Sequence, residues 1–92
     1  MSSHLSHRSP HGHVIFTDLD GTEGVLVDLQ ARQYYQLNET ASLIWRGLTN
    51  QTPINEIASA MTEIYDVTPE QARASIEAVI ARFDAYRLLA SA

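Results

Sequence analysis

The sequence predicts an α+β fold, winged helix-turn-helix-like, in which a three-stranded antiparallel sheet is followed by three helices. A chain of 92 residues makes one small domain. Its first half carries short runs of β-branched and aromatic residues, which are typical of strands. In its second half the apolar residues recur at helical spacing.

The three predicted strands are "HVIFTD", "VLVDL" and "QYYQL". Between the first two, "LDGTEG" contains Asp-Gly and a second Gly, which is turn chemistry. The polar connector "QAR" separates the second strand from the third. Connections of only a few residues indicate an antiparallel hairpin or meander.

The first two of the three predicted helices follow directly after the strands. Asn38 is a good N-cap, and the apolar spacing that follows it predicts a first helix to about Thr49. The segment "NQTP" ends this pattern. A second helix opens at Pro53 or Ile54 and carries its apolar residues on one stripe, which indicates packing against the sheet or its neighbours.

The third helix has a start signal in the sequence. Thr68 suits the N-cap, Pro69 the first helical position, and Gln71 stands three residues after the cap. Leu88 and Leu89 either extend this helix or fold back as a hydrophobic tail. On the inner stripes of the helices, Ile44 and Trp45 are interpreted as core residues.

Composition predicts the domain boundaries, the class of partner and the cellular location of the protein. Residues 1–12 are rich in Ser, His, Pro and Gly, which predicts a disordered tail before a domain at 13–90. The net charge of −5 argues against a nucleic-acid partner. No apolar run is long enough for a membrane span, no secretory signal is visible and no Cys is present, so we expect a cytoplasmic protein.

The string "DLDGT" looks like the nucleophile motif of the haloacid-dehalogenase phosphatases. Those enzymes need a doubly wound parallel sheet and a lysine that stabilises phosphoryl charge. This chain has no Lys, and its next two elements are strands at hairpin spacing. We therefore interpret Asp18, Asp20 and Gly21 as the turn of a hairpin.

Two further chemistries are disfavoured. The four histidines (His4, His7, His11 and His13) are close together, and Ser2-Ser3-His4 would chelate copper or nickel after removal of Met1, but the pattern is generic, so we expect no metal and no cofactor. With no Cys, and with every His in this N-terminal region, no catalytic triad is expected.

A DNA-binding winged helix is a competing interpretation of the fold. A recognition helix should present basic or amide side chains along one exposed face. The third helix instead interleaves arginines with acids, namely Arg73, Arg82 and Arg87 with Glu70, Glu77 and Asp84. Such mixed charge is typical of a solvated face.

The chain resembles the PqqD family, the peptide-binding recognition elements of ribosomal natural-product pathways. The features that carry the resemblance are "VLVDL", "YYQLNETASLIW", the second helix "INEIASAMTEIYDV" and the third helix after "TPEQA". The resemblance covers about residues 14–89. Its spacing "DxxxxxYYQLNxTAxxIW" looks most like the stand-alone leader-binding proteins of lasso-peptide clusters.

The sequence also departs from the family's pattern. Other residues stand where the family often has Gly: Ala31 or Arg32 in the connector, Gln51 after the first helix, and Arg87 before the final leucines. Ser75-Ile76 replaces a frequent Asp-Val. Ser75 thus removes a carboxylate that would pair with a leader cation, which affects the leader's sequence preference more than the fold.

The resemblance implies a non-enzymatic domain that binds the leader of a precursor peptide and presents it to a leader peptidase of a lasso-peptide pathway. The leader would add as a strand to the edge "RQYYQL", with the third helix as the other wall. Since strand side chains alternate, one of Tyr34 and Tyr35 would pack inward and the other face outward. The implied peptide-binding residues are Arg32, Gln33, Tyr34, Tyr35, Gln36, Leu37, Ser75, Ile76, Val79, Arg82 and Phe83.

Alternatives stay open at this point. One is a peptide chaperone for another modifying enzyme, such as a radical-SAM protein, and another is a winged-helix DNA-binding regulator. An exposed edge strand also permits a homodimer through strand pairing.

Overall fold

The computed structural model describes residues 9–90, and the predicted α+β fold is confirmed: a three-stranded antiparallel sheet precedes three helices. Two further strands of two residues each pair near the ends of this region. In chain order the elements are β1 Ser9–Pro10, β2 Val14–Asp18, β3 Gly24–Asp28, β4 Gln33–Leu37, α1 Glu39–Thr49, α2 Ile54–Ile64, α3 Pro69–Ala85 and β5 Leu89–Ala90.

The main sheet has the order β2-β3-β4, so consecutive strands are neighbours. The turn between β2 and β3 is held by carboxylates: Asp18 accepts the N–H of Gly21 at 2.7 Å, and Asp20 accepts that of Glu23 at 2.9 Å. Gly21 has φ +93°, a conformation that favours glycine. The interpretation of "DLDGT" as hairpin turn chemistry is therefore confirmed.

A buried carboxylate organises the turn between β3 and β4. Asp28 is only 3% exposed, and its Oδ1 accepts the N–H groups of Gln30 and Ala31 at 3.0 and 3.1 Å. The Nε2 of His13 lies 3.5 Å from the same oxygen. Because these contacts replace water around the carboxylate, Asp28 fixes the turn that leads into β4.

Local capping sets the helix boundaries near the predicted positions. The side chain of Asn38 accepts the N–H of Ala41 at 2.8 Å, which confirms the predicted N-cap of α1. Thr68 and Gln71 form the predicted reciprocal capping box of α3, with bonds of 3.0 and 3.1 Å. Helix α2 starts at Ile54, one of the two predicted positions.

The core lies between the inner face of the sheet and the three helices. Leu26 of β3 and Ile44 of α1 are fully buried, and Trp45 is 2% exposed, so Ile44 and Trp45 are core residues as predicted. Trp45 meets Phe83 of α3 edge to face, with ring centroids 5.1 Å apart. This contact fixes α3 against α1 and hence its position beside the sheet.

The end of the chain folds back after α3. Leu88 is fully buried, and Leu89 pairs with Pro10 in an antiparallel bridge between β5 and β1. The N–H of His11 also donates to the carbonyl of Leu88 at 3.0 Å. Residues 9–11 belong to the segment assigned by composition to a disordered tail, and they lie against residues 88–90. Residues 1–8 of that predicted tail lie outside the described residues. This pairing uses backbone groups, which composition does not reveal.

Within residues 9–90, three non-glycine residues adopt the left-handed conformation: Arg32, Gln51 and Arg87 each have φ +58°. All three are positions where the resemblance led us to note a departure from Gly. A left-handed conformation costs a residue with a Cβ about 1–2 kcal/mol. Each of these three connections therefore contains a residue whose conformation costs free energy that glycine at the same position would not cost.

No helix within residues 9–90 is both long and apolar enough to cross a membrane.

Candidate functional site

A groove of about 660 Å³ runs between β4 and α3. Its lining comes from β4, the start of α1, one face of α3 and the segment after α3. The lining residues are Tyr34, Tyr35, Gln36, Leu37, Asn38, Thr40, Ala41, Ser75, Ala78, Val79, Arg82, Phe83, Tyr86 and Leu88.

The bottom of the groove is apolar. Leu37, Phe83 and Leu88 are buried core residues that also line it. Tyr35 is half-buried and stacks on Tyr86, with ring centroids 4.5 Å apart and an interplanar angle of 20°. This stack brings the middle of β4 next to the C-terminal end of α3, and so defines one end of the groove.

The hydrogen-bond pattern of the sheet shows which backbone groups of β4 point into this groove. Leu29 donates to the carbonyl of His13 at 3.0 Å, which places the odd-numbered residues of β3 in bonded pairs with β2. The even-numbered residues of β3 therefore bond to β4, and among them Leu26 is paired with Tyr35. The bonds of β4 to the sheet thus run through Gln33, Tyr35 and Leu37.

Tyr34 and Gln36 consequently direct their N–H and C=O groups away from β3. Within residues 9–90 no strand lies on that side, because β4 is an edge of the main sheet. Both residues also line the groove. The groove is therefore bordered along one side by backbone donors and acceptors that are available to an extended chain.

The side chains of β4 alternate as predicted. Tyr34 is 77% exposed on the outer face of the sheet, whereas Tyr35 turns inward and packs against the core. The sequence pattern left open which tyrosine would take which place, and the contact of Tyr35 with Tyr86 decides it.

Among the lining residues that the structure describes, only one carries a formal charge at neutral pH. Arg82 projects from α3, and its guanidinium makes no hydrogen bond or ion pair with another described residue. Two other arginines have side-chain partners within residues 9–90, and both lie away from the groove: Arg46 binds Asp18 at 2.9 Å, and Arg73 binds Asn55 at 3.1 Å.

Most of the residues implied by the resemblance meet in this groove, and three do not line it. Arg32 and Gln33 lie at the turn end of β4, beyond the groove. Ile76 is fully buried in the core and does not line the groove.

The expected list also omitted several lining residues, namely Asn38, Thr40, Ala41, Ala78, Tyr86 and Leu88. Two of them were within reach of sequence reasoning. Ala78 and Tyr86 continue the helical spacing of Ser75, Val79 and Arg82 on one face of α3. The groove lining also includes Asn38, Thr40 and Ala41, because α1 starts directly after the end of β4. Their place in the groove depends on the direction that the chain takes between these two elements.

The other motifs do not form a second site among the described residues. No cluster of three or more His, Cys, Asp or Glu side chains with metal-binding geometry occurs within residues 9–90. His11 and His13 stack on each other with centroids 4.8 Å apart, and His4 and His7 lie outside the described region. Asp18 and Asp20 are exposed and hold the hairpin turn.

Comparison with known proteins agrees with this architecture. The sequence model of the family described as coenzyme PQQ synthesis protein D (PqqD) matches residues 23–89. The chain belongs to the PqqD family. The resemblance expected from the sequence is therefore confirmed. No match was found among curated proteins.

Two solved structures of similar proteins share the fold of this PqqD-family chain. One is TbiB1 in complex with the TbiA(β) leader peptide, with a TM-score of 0.83, 24% identity, and coverage of 91% of this chain and 96% of that one. The other is lasso peptide synthetase B1 complexed with the leader peptide, with a TM-score of 0.83, 24% identity, and coverage of 91% and 98%.

Proposed function

We propose that this PqqD-family domain binds the leader of a ribosomally made precursor peptide as a fourth strand beside β4. It then presents the precursor to a separate maturation enzyme, the leader peptidase of a lasso-peptide pathway, and performs no catalysis itself. The observation that carries the proposal is the edge of β4, which no other strand within residues 9–90 covers and which borders a groove with an apolar bottom. The two similar structures, both in complex with leader peptides, support it.

The groove combines the two elements that strand addition requires. Tyr34 and Gln36 offer backbone donors and acceptors about 6.6–6.8 Å apart, the two-residue repeat of an extended chain. Main-chain hydrogen bonds of this kind provide affinity for many sequences. The apolar surface of Tyr35, Val79 and Phe83 would then accept alternate side chains of the guest and provide selectivity.

A substitution in the groove tests the proposal. Val79 lines the groove and Ala81 is an exposed residue of the same helix that does not. Val79→Glu places a charge where apolar side chains of the leader would dock, so we expect at least tenfold weaker binding. Ala81→Glu adds the same charge outside the groove and should change affinity less than about twofold.

The measurement is a fluorescence anisotropy titration of the labelled leader from the precursor encoded beside this protein's gene. Circular dichroism melts of both variants establish that they are folded. Equal affinities of Val79→Glu and the unsubstituted protein would exclude this groove as the leader site.

The partner enzyme requires a separate experiment. The purified domain should bring a co-encoded peptidase and the precursor into one complex on size-exclusion chromatography. Assembly instead with a radical-SAM enzyme would assign the domain to another modification pathway. Since a second copy would compete for the same edge of β4, any dimer formed through it should dissociate as leader is added.

A further inference from the structure

We propose that Arg82 is a specificity-determining residue of the groove, which selects leaders with an Asp or Glu side chain facing α3. This inference rests on the proposed function, because it names the chemistry of the segment that the groove would bind. The observation behind it is the distribution of charge around the groove.

The groove differs in charge from the rest of the chain. The chain has eleven acidic and six basic residues, for a net charge of −5. Within residues 9–90 no Asp, Glu, Lys or His lines the groove, so Arg82 gives this surface a local positive charge. Ser75 contributes only a hydroxyl group on the same face of α3, and no carboxylate among the described lining residues offsets the arginine.

Arg82 also has no acidic neighbour at helical spacing. The residues three and four positions away are Ala78, Val79 and Ala85 of α3 and Tyr86 directly after it, none of which accepts an ion pair. Its guanidinium makes no side-chain bond to another residue within 9–90. The five N–H donors of this side chain are therefore available to a ligand.

The apolar surroundings of Arg82 increase the effect on affinity of whichever leader side chain lies opposite its guanidinium. Val79, Phe83 and Tyr86 provide apolar surface beside it, and a bound strand would remove further water. Under these conditions a carboxylate forms a charge-assisted, often bidentate hydrogen bond with arginine. An apolar leader side chain would remove water from the guanidinium without supplying hydrogen bonds in its place, which is unfavourable. A lysine at the same position would be repelled by the like charge.

A peptide-display selection tests this inference without knowledge of the natural leader. The probe is a library of random 15-residue peptides, selected separately against the unsubstituted protein, Arg82→Glu and Arg73→Glu. Arg73→Glu is the matched control, because it makes the same change of charge on the same helix at a residue outside the groove. Val79→Glu identifies the peptides that depend on the groove.

We expect groove-dependent peptides selected by the unsubstituted protein and by Arg73→Glu to share an acidic residue at one position. Selection against Arg82→Glu should enrich Lys or Arg at that position. In anisotropy titrations, replacing the shared acid by its amide should weaken binding to the unsubstituted protein about three- to tenfold, and less at high salt, because Arg82 is exposed to solvent.

The outcomes separate the inference from the function on which it rests. Groove-dependent peptides without an acid preference would overturn the role of Arg82 while leaving strand addition intact. Equal acid enrichment by the unsubstituted protein and Arg82→Glu would also overturn it. Recovery of no peptide that depends on Val79 would overturn both proposals.

Discussion

The backbone of Gln36 offers a direct way to perturb strand addition. Its N–H points to the free edge of β4 by the alternation of the sheet, so Gln36→Pro removes a donor toward the groove without removing a bond to β3. A docked leader would be left with an unpaired carbonyl, which costs about 1–3 kcal/mol. We therefore expect binding to weaken about 5- to 150-fold.

The matched control is Gln36→Val, which removes the same amide side chain and keeps the backbone N–H. Both variants should retain the circular dichroism spectrum of the unsubstituted protein, and anisotropy titrations with the labelled leader should separate them. Unchanged affinity for a folded Gln36→Pro protein would refute the assignment of this N–H to the leader.

Three further predictions concern the fold. Replacing Arg32, Gln51 or Arg87 by Gly should each stabilise the protein by about 0.5–1 kcal/mol in urea unfolding, because the relief of the left-handed conformation exceeds the entropy cost of glycine; destabilisation would contradict this. Asp28→Ala should cost about 2–3 kcal/mol in the same assay, since two backbone N–H groups lose their acceptor, and a loss below about 0.5 kcal/mol would argue against that role. The backbone N–H groups of Glu23 and Thr22 donate to Asp20 and lower its pKa below the usual value. The stabilisation that ionised Asp20 gives to the fold is therefore present above about pH 4 and is lost as the pH falls through the lowered pKa. The stability of Asp20→Asn should therefore depend less on acid pH than that of the unsubstituted protein, and an identical dependence would contradict this.

Locally encoded features were predicted well from the sequence. The caps at Asn38 and Thr68 depend on side chains within three residues of each helix start, so their chemistry is visible in a short window. The same holds for the turn carboxylates of Asp18 and Asp20. The order of strands and helices followed from the change of apolar period after β4.

Features that depend on distant contacts were not predictable in the same way. The pairing of β1 with β5 joins Ser9 to Ala90 through backbone groups, which carry no residue signal. The expected list of site residues included Ile76, although its fully buried side chain does not line the groove, because a helical stripe cannot by itself separate core from groove floor. Helical spacing places Tyr86 on the groove side, but its stacking on Tyr35 depends on where the end of α3 lies against the sheet, which the sequence does not show.

Arg32, Gln51 and Arg87 combine both kinds of information. The resemblance implied that Gly is frequent at these positions, but only the backbone angles show that each of the three residues has a positive φ in this chain.

Amide exchange at the edge of β4 tests the central claim most directly. Hydrogen exchange followed by nuclear magnetic resonance reports each N–H before and after saturation with leader. If the leader adds as a strand, exchange at Tyr34 and Gln36 should slow at least tenfold, whereas Tyr35, already bonded to β3, should change little. Unchanged exchange at Tyr34 and Gln36 in the saturated complex would contradict the account.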